Sequence, residues 1–136
     1  MNEALEMLTD IAYSEGILIT NGTLSHAKAA ELERSLLLVL DRSQMDGYSD
    51  VVTHLAHGLG HFMTDAFYHV DTPLVVYGKC EAIANAWAIR TLCPVDSLKE
   101  ALRAGHRTPW ELAEELNCPQ QIIDAALTYY SRKQLL

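Results

Sequence analysis

An apolar helix that carries two histidines constrains this chain more than any other segment. Ser49 is a suitable N-cap, and the apolar residues after it recur at helical spacing, which predicts a helix over about 49–64. His57 and His61 are four positions apart on that helix, so their side chains lie on one face. This spacing is typical of helices that bind zinc, and the alternative is a pair of hydrogen-bonded core histidines.

The residue after His57 is glycine, where zinc proteases of the HExxH type have glutamate. That glutamate takes a proton from the zinc-bound water. Gly58 has no side chain for this step, and general acid–base catalysis contributes about 10²–10⁴-fold to a rate, so we expect catalysis to be strongly impaired. Glycine inside a helix costs about 1 kcal/mol relative to alanine. Tight packing at Gly60, or a neighbouring backbone close to it, would be a physical reason for that second glycine.

A third ligand is available about twenty residues further on, at Glu81. It opens a predicted helix that follows Gly78 and ends at Pro94. Two imidazoles and one carboxylate form a zinc site that leaves a fourth position for water. Asn85 shares a face with Glu81 and is expected to orient a ligand histidine. The alternative for Glu81 is a solvated acid that the helix dipole favours.

Two more residues of the histidine helix are candidates for the surroundings of the ion. His54 precedes His57 by three positions and is a candidate for supporting a ligand or for binding the metal itself. Asp65 follows His61 by four positions and would share its face if the helix continued. About 10 Å of helical rise separates positions 58 and 65, so Asp65 is too far away to replace the missing glutamate directly. An exposed acid in the last helical turn is the favoured interpretation of Asp65.

Four segments occur in an order that resembles a known family. They are His57-x-x-Gly60-His61, Thr64-x-Ala66-Phe67-Tyr68, Glu81-x-x-x-Asn85-x-Trp87-Ala88 and Thr108-Pro109-Trp110-Glu111-Leu112-Ala113-Glu114. Together they resemble the ImmA/IrrE metallo-endopeptidases, especially small members from phages and mobile elements, over roughly residues 1–130. The resemblance implies a compact zincin-like domain with His57, His61 and Glu81 as ligands of one zinc ion. It also implies a helix-turn-helix repressor, or another transcriptional regulator, as substrate or partner.

The chain departs from the family at Gly58, in the place of the general base, and at Asp65, where members often have glycine. Three interpretations follow. The first is a zinc-binding protein that captures its repressor without cutting it. The second is a competent peptidase, because another carboxylate serves or because Gly58 is an engineered change, although alanine or glutamine would be the commoner engineering choice. The third is a metal-free interaction module that binds a regulator.

Length and composition agree with one domain over residues 1–136, of which 49% are hydrophobic. The sequence has no secretory leader and no apolar run of membrane-spanning length, so we expect no membrane contact. Three cysteines without a CxxC pair suit a reducing cytoplasm. The last two helices outline a helix-turn-helix, but the net charge of −8 argues against direct nucleic-acid binding. That charge suits a basic protein partner instead.

The order of elements predicts an α+β fold. Strands near 17–20 and 35–40 should pair in a small sheet packed on the histidine helix, and the C-terminal half should be mostly helical. Residues 27–34 are interpreted as a helical turn or a loop. Residues 74–77 are interpreted as a short extended piece.

Overall fold

Helices dominate the structure, and a small sheet lies beside the second of them. A computed structural model describes residues 2–69 and 71–136. The elements in chain order are α1 (Asn2–Ser14), β1 (Leu18–Asn21), β2 (Ala29–Leu32), β3 (Leu37–Leu40), α2 (Tyr48–Thr64), α3 (Leu74–Leu92), α4 (Val95–Arg103), α5 (Pro109–Leu116) and α6 (Gln120–Arg132). The α+β class is therefore confirmed. Among these described helices, none has the length and apolar character that a membrane span requires.

The sheet contains both predicted strands and one that was not predicted. Its strand order is β1-β3-β2, with β1 parallel and β2 antiparallel to β3. The strands predicted near 17–20 and 35–40 are confirmed as β1 and β3, and they pair with each other. The interpretation of residues 27–34 as a helical turn or a loop is wrong for 29–32, which form β2, whereas a 3-10 turn does follow at Glu33–Ser35. Alanine and glutamate are poor strand formers, so pairing with β3 rather than local propensity fixes β2.

The third helix begins earlier than the sequence suggests. Residues 74–77 are the first turn of α3, so the predicted extended piece is wrong. The two β-branched residues Val75 and Val76 favour a strand locally, but Pro73 ends the preceding loop at the N-cap position. The side chains of this first turn are exposed, with Leu74 85% exposed, although the Tyr77 ring contacts that of Tyr68.

Helices α2 and α3 approach each other closely at a glycine. A Cβ at Gly60 would overlap the carbonyl oxygen of Ala84, which is fully buried. The close backbone approach considered from the sequence is thus confirmed at this position. Helix α6 packs against α3 with its apolar residues inward, and the Tyr130 hydroxyl donates a hydrogen bond to the Cys93 carbonyl oxygen at 2.7 Å. This packing gives α6 a structural role.

Gly60→Ala should destabilise the protein, because the added methyl group meets backbone that cannot rotate away. We expect a loss of about 1–3 kcal/mol in the free energy of unfolding, measured by urea denaturation. The matched control is Gly78→Ala in exposed helix α3, where a Cβ meets nothing within 4 Å. There the higher helix propensity of alanine should stabilise the protein by up to about 1 kcal/mol. Equal effects of the two substitutions would contradict the proposed contact.

A buried carboxylate fixes the loop that leads into β2. Asp41, just after β3, is 3% exposed and accepts hydrogen bonds from the Leu24 amide at 2.8 Å and the Gln44 side-chain amide at 2.7 Å. The Ser43 hydroxyl donates a further hydrogen bond to it. These bonds, led by that of the Leu24 amide, lower the pKa of Asp41 to about 2. Asp41 is therefore ionised in the folded protein at every pH where the fold is expected to persist.

The fold should lose stability in acid partly through Asp41. Because its pKa is about 2 in the folded chain and about 4 when unfolded, its contribution is complete above pH 4 and is lost as the pH falls towards 2. Asp41→Asn should lower the urea midpoint at neutral pH and make it less dependent on pH in that window. Asp10→Asn, on the exposed face of α1, is the control. An unchanged acid profile in Asp41→Asn would contradict this prediction.

Candidate metal centre

Three side chains from α2 and α3 converge at one point. Potential ligand atoms of His57, His61 and Glu81 lie within 4.8 Å of one another. The two Nε2 atoms are 3.1 Å apart, and the Glu81 carboxylate oxygens lie 2.9 Å from His57 Nε2 and 3.2 Å from His61 Nε2. Ligands about 2.0–2.2 Å from a tetrahedral zinc ion are separated by about 3.3 Å. The three side chains therefore have the spacing of zinc ligands without rearrangement.

The outer nitrogen of each imidazole is engaged by an acceptor. His57 Nδ1 donates a hydrogen bond to the Asn85 side-chain oxygen at 2.6 Å, and His61 Nδ1 donates one to the Ala66 carbonyl oxygen at 2.5 Å. Each acceptor assigns the proton of a neutral ring to Nδ1 and leaves the Nε2 lone pair free. Metal-ligating histidines in proteins are oriented in this way. Asn85 thus takes the orienting position that the sequence predicts for it.

The inner atoms of the group are all acceptors when the rings are neutral. Two Nε2 lone pairs and the Glu81 carboxylate then face one another across about 3 Å. Acceptors this close repel each other unless a proton or a cation lies between them. A divalent cation bound to all three atoms would remove the repulsion at once. The donor set, imidazole and carboxylate, suits zinc.

One side of the group is buried and the other is open. His61 is 1% exposed, whereas the side chains of His57 and Glu81 are each about one quarter exposed. Tyr68 is partly buried, and its ring lies 5.9 Å from that of His61. Burial, with hydrogen bonds to Tyr77 and Glu81, raises the pKa of Tyr68, so its phenol remains a neutral donor. Tyr68 belongs to the segment Thr64-x-Ala66-Phe67-Tyr68, whose sequence alone indicates no role for it.

A carboxylate from the sheet also reaches the group. Glu31 on β2 places Oε1 at 3.6 Å from His61 Nε2. Burial raises the pKa of Glu31, although His61 and His57 oppose this shift. Sequence reasoning missed Glu31 because its segment was interpreted as a turn or loop. The available signal was a lone acid flanked by Ala30 and Leu32.

The space above Gly58 is occupied by the sheet. A Cβ at Gly58 would lie 2.7 Å from Leu38 Cδ1 and 3.2 Å from Leu38 Cγ. Leu38 is fully buried on β3. The strand therefore packs against α2 where a side chain at position 58 would begin.

The structure places the other two candidate residues outside the group. The His54 ring pairs with Asp50 at 3.1 Å, and Asp50 in turn binds Lys28 at 2.9 Å. Burial lowers the pKa of His54 despite the Asp50 carboxylate. Asp65 ends α2 with a left-handed backbone, φ 56°, and its side chain is exposed. Such a backbone suits glycine, the residue that members of the resembled family often have there.

Comparisons of the chain with protein-family models, with curated proteins and with solved structures find no match.

Because Gly58 and Leu38 compete for one space, substitutions at the two positions should be coupled. Gly58→Ala alone should destabilise the fold by crowding Leu38, and Leu38→Ala alone by leaving a cavity. In the double variant the new methyl group partly fills that cavity. Urea denaturation of all four proteins should give a loss smaller than the sum of the single losses, by about 0.5 kcal/mol or more. Additive losses would contradict this packing.

Proposed function

We propose that this protein binds one zinc ion through His57, His61 and Glu81 and is a metallopeptidase-type protein of the ImmA/IrrE kind that acts on a transcriptional repressor. The observation that carries the proposal is the convergence of two free Nε2 atoms and one carboxylate, with both Nδ1 protons already engaged. The helix that carries both histidines, flanked by a small sheet, also supports a zincin-like arrangement.

The chemistry proposed for the site is hydrolytic, with reduced efficiency. A zinc ion held by three protein ligands polarises a carbonyl oxygen and lowers the pKa of a bound water. His57 and Asn85 border a surface groove among α2, α3 and α6 whose lining combines alanine and isoleucine side chains with polar ones. A segment of a protein substrate would fit such a groove. Gly58 leaves α2 without the base, so hydrolysis depends on a carboxylate from elsewhere, and without one the protein captures its partner.

Charge supports a basic protein partner. The chain has a net charge of −8, so it repels nucleic acid and attracts a cationic surface such as that of a DNA-binding repressor.

Elemental analysis of protein purified without a metal-affinity tag should find about one equivalent of zinc, from the ligand set of one tetrahedral site. His61→Ala should remove it, because His61 supplies a buried ligand atom. His26→Ala, an exposed histidine outside the group, is the matched control and should leave the zinc content unchanged. His54→Ala should also retain zinc, because its ring is paired with Asp50. Zinc near zero in the parent after loading and desalting would refute the proposal in favour of a metal-free module.

A further inference from the structure

Glu31 comes from the sheet but lies at the centre formed by the two helices. We propose that Glu31 is the catalytic base of this site and takes the proton of the attacking water in place of the glutamate that α2 lacks. This inference rests on the zinc site proposed above. It assigns a role to a residue of β2 rather than to the histidine helix.

The register of the sheet explains how β2 delivers this carboxylate. Glu31 pairs with Leu38 across β2 and β3, so both side chains project from the same face of the sheet. That face lies on α2, where Leu38 covers Gly58 and Glu31 reaches His61, one helical turn further on. The missing side chain at position 58 lets the sheet come close enough for Glu31 to reach the ligands. Gly58 and the Glu31 carboxylate therefore depend on the same close packing of the sheet on α2.

The distances place Glu31 beside the ligands rather than among them. The three ligand residues have atoms within 4.8 Å of one another, and Glu31 stands outside that group. Its Oε1 is nevertheless only 3.6 Å from His61 Nε2. If His57, His61 and Glu81 held an ion, Glu31 would be the neighbouring carboxylate available to take a proton from a water bound there, as a general base requires.

The Glu31 carboxylate is buried enough that a positive charge must balance it, yet part of it remains accessible to a substrate. Its side chain is 16% exposed, and the neighbouring Glu81 adds a second negative charge. A dication at the ligands would balance both carboxylates. Glu31 also borders a groove shared with Phe67 and Tyr68, through which water and a peptide carbonyl can approach.

The proposed step is peptide hydrolysis and is balanced by water alone. Glu31 accepts one proton of the water while the water oxygen bonds to the carbonyl carbon. Glu31 then returns that proton to the amide nitrogen as the C–N bond breaks. One peptide and one water give a carboxylic acid and an amine, with no change of oxidation state.

Glu31→Gln tests this role, because glutamine keeps the shape of the side chain but cannot take the proton. Glu15→Gln is the matched control, since it removes the same charge from an exposed position that does not line this groove. All three proteins would be loaded with Co²⁺ in place of zinc. The measurements are Co²⁺ affinity, the visible absorption bands as a function of pH, and cleavage of an internally quenched random-peptide library.

We expect Glu31→Gln to slow library cleavage by about 10²-fold or more, and to weaken metal binding by no more than about 10–100-fold. The midpoint of the pH-dependent change in the Co²⁺ bands should shift in Glu31→Gln, because a charge beside the water is removed. Glu15→Gln should match the parent in all three measurements.

Three results would overturn the role of Glu31. The first is an equal pH midpoint of the change in the Co²⁺ absorption bands in Glu31→Gln and in the parent. This result rules out Glu31 as the base even if neither protein cleaves a library peptide. The second is cleavage by Glu31→Gln at the parent rate. The third is a change of the Co²⁺ bands at every pH with loss of the metal, which would make Glu31 a fourth direct ligand. If the parent does not bind Co²⁺, the proposed zinc site itself is wrong. The affinity measurement separates this outcome from a failure of the role of Glu31 alone.

Discussion

The close approach of α2 and α3 at Gly60 is the contact on which the candidate site depends. Gly60 precedes His61, and the opposing Ala84 precedes Asn85, so residues of the site flank the point of contact on both helices. His57 and Glu81 lie about one turn before that point on their own helices. A side chain at Gly60 would force the backbones apart, and the ligand atoms would lose their spacing of about 3 Å. Packing of the apolar core thus sets the geometry of the polar site.

The site concentrates hydrogen-bond acceptors and negative charge beside a nearly fully buried imidazole. His61 can engage Ala66 through Nδ1 only by presenting Nε2 to the Glu81 carboxylate and to the other ring. Glu31 adds a second carboxylate to the same small volume. Burial without compensation would make such a group unfavourable, so a bound dication accounts for the whole set of contacts better than any one hydrogen bond does.

The parts of the site that lie on helices could be predicted from the sequence, because helical periodicity is a local property. The positions of His57, His61, Glu81 and Asn85 follow from spacings of four. Glu31 could not be found this way, because Ala29-Ala30-Glu31-Leu32 becomes a strand only through pairing with β3. Spacing also does not reveal which partner a side chain chooses. His54 shares α2 with the ligands yet pairs with Asp50, one turn earlier.

The interpretation of Gly58 therefore changes once its neighbours in the structure are known. In the sequence it is the loss of a base from a zinc-binding motif. In the structure it is the point where a fully buried leucine of β3 rests on α2, with the Glu31 carboxylate next to that leucine. A glutamate at position 58 would need the space that Leu38 fills, so the helix and the sheet are adapted to each other around glycine. That mutual packing favours a natural glycine at position 58 over a single substitution introduced into an otherwise unchanged site.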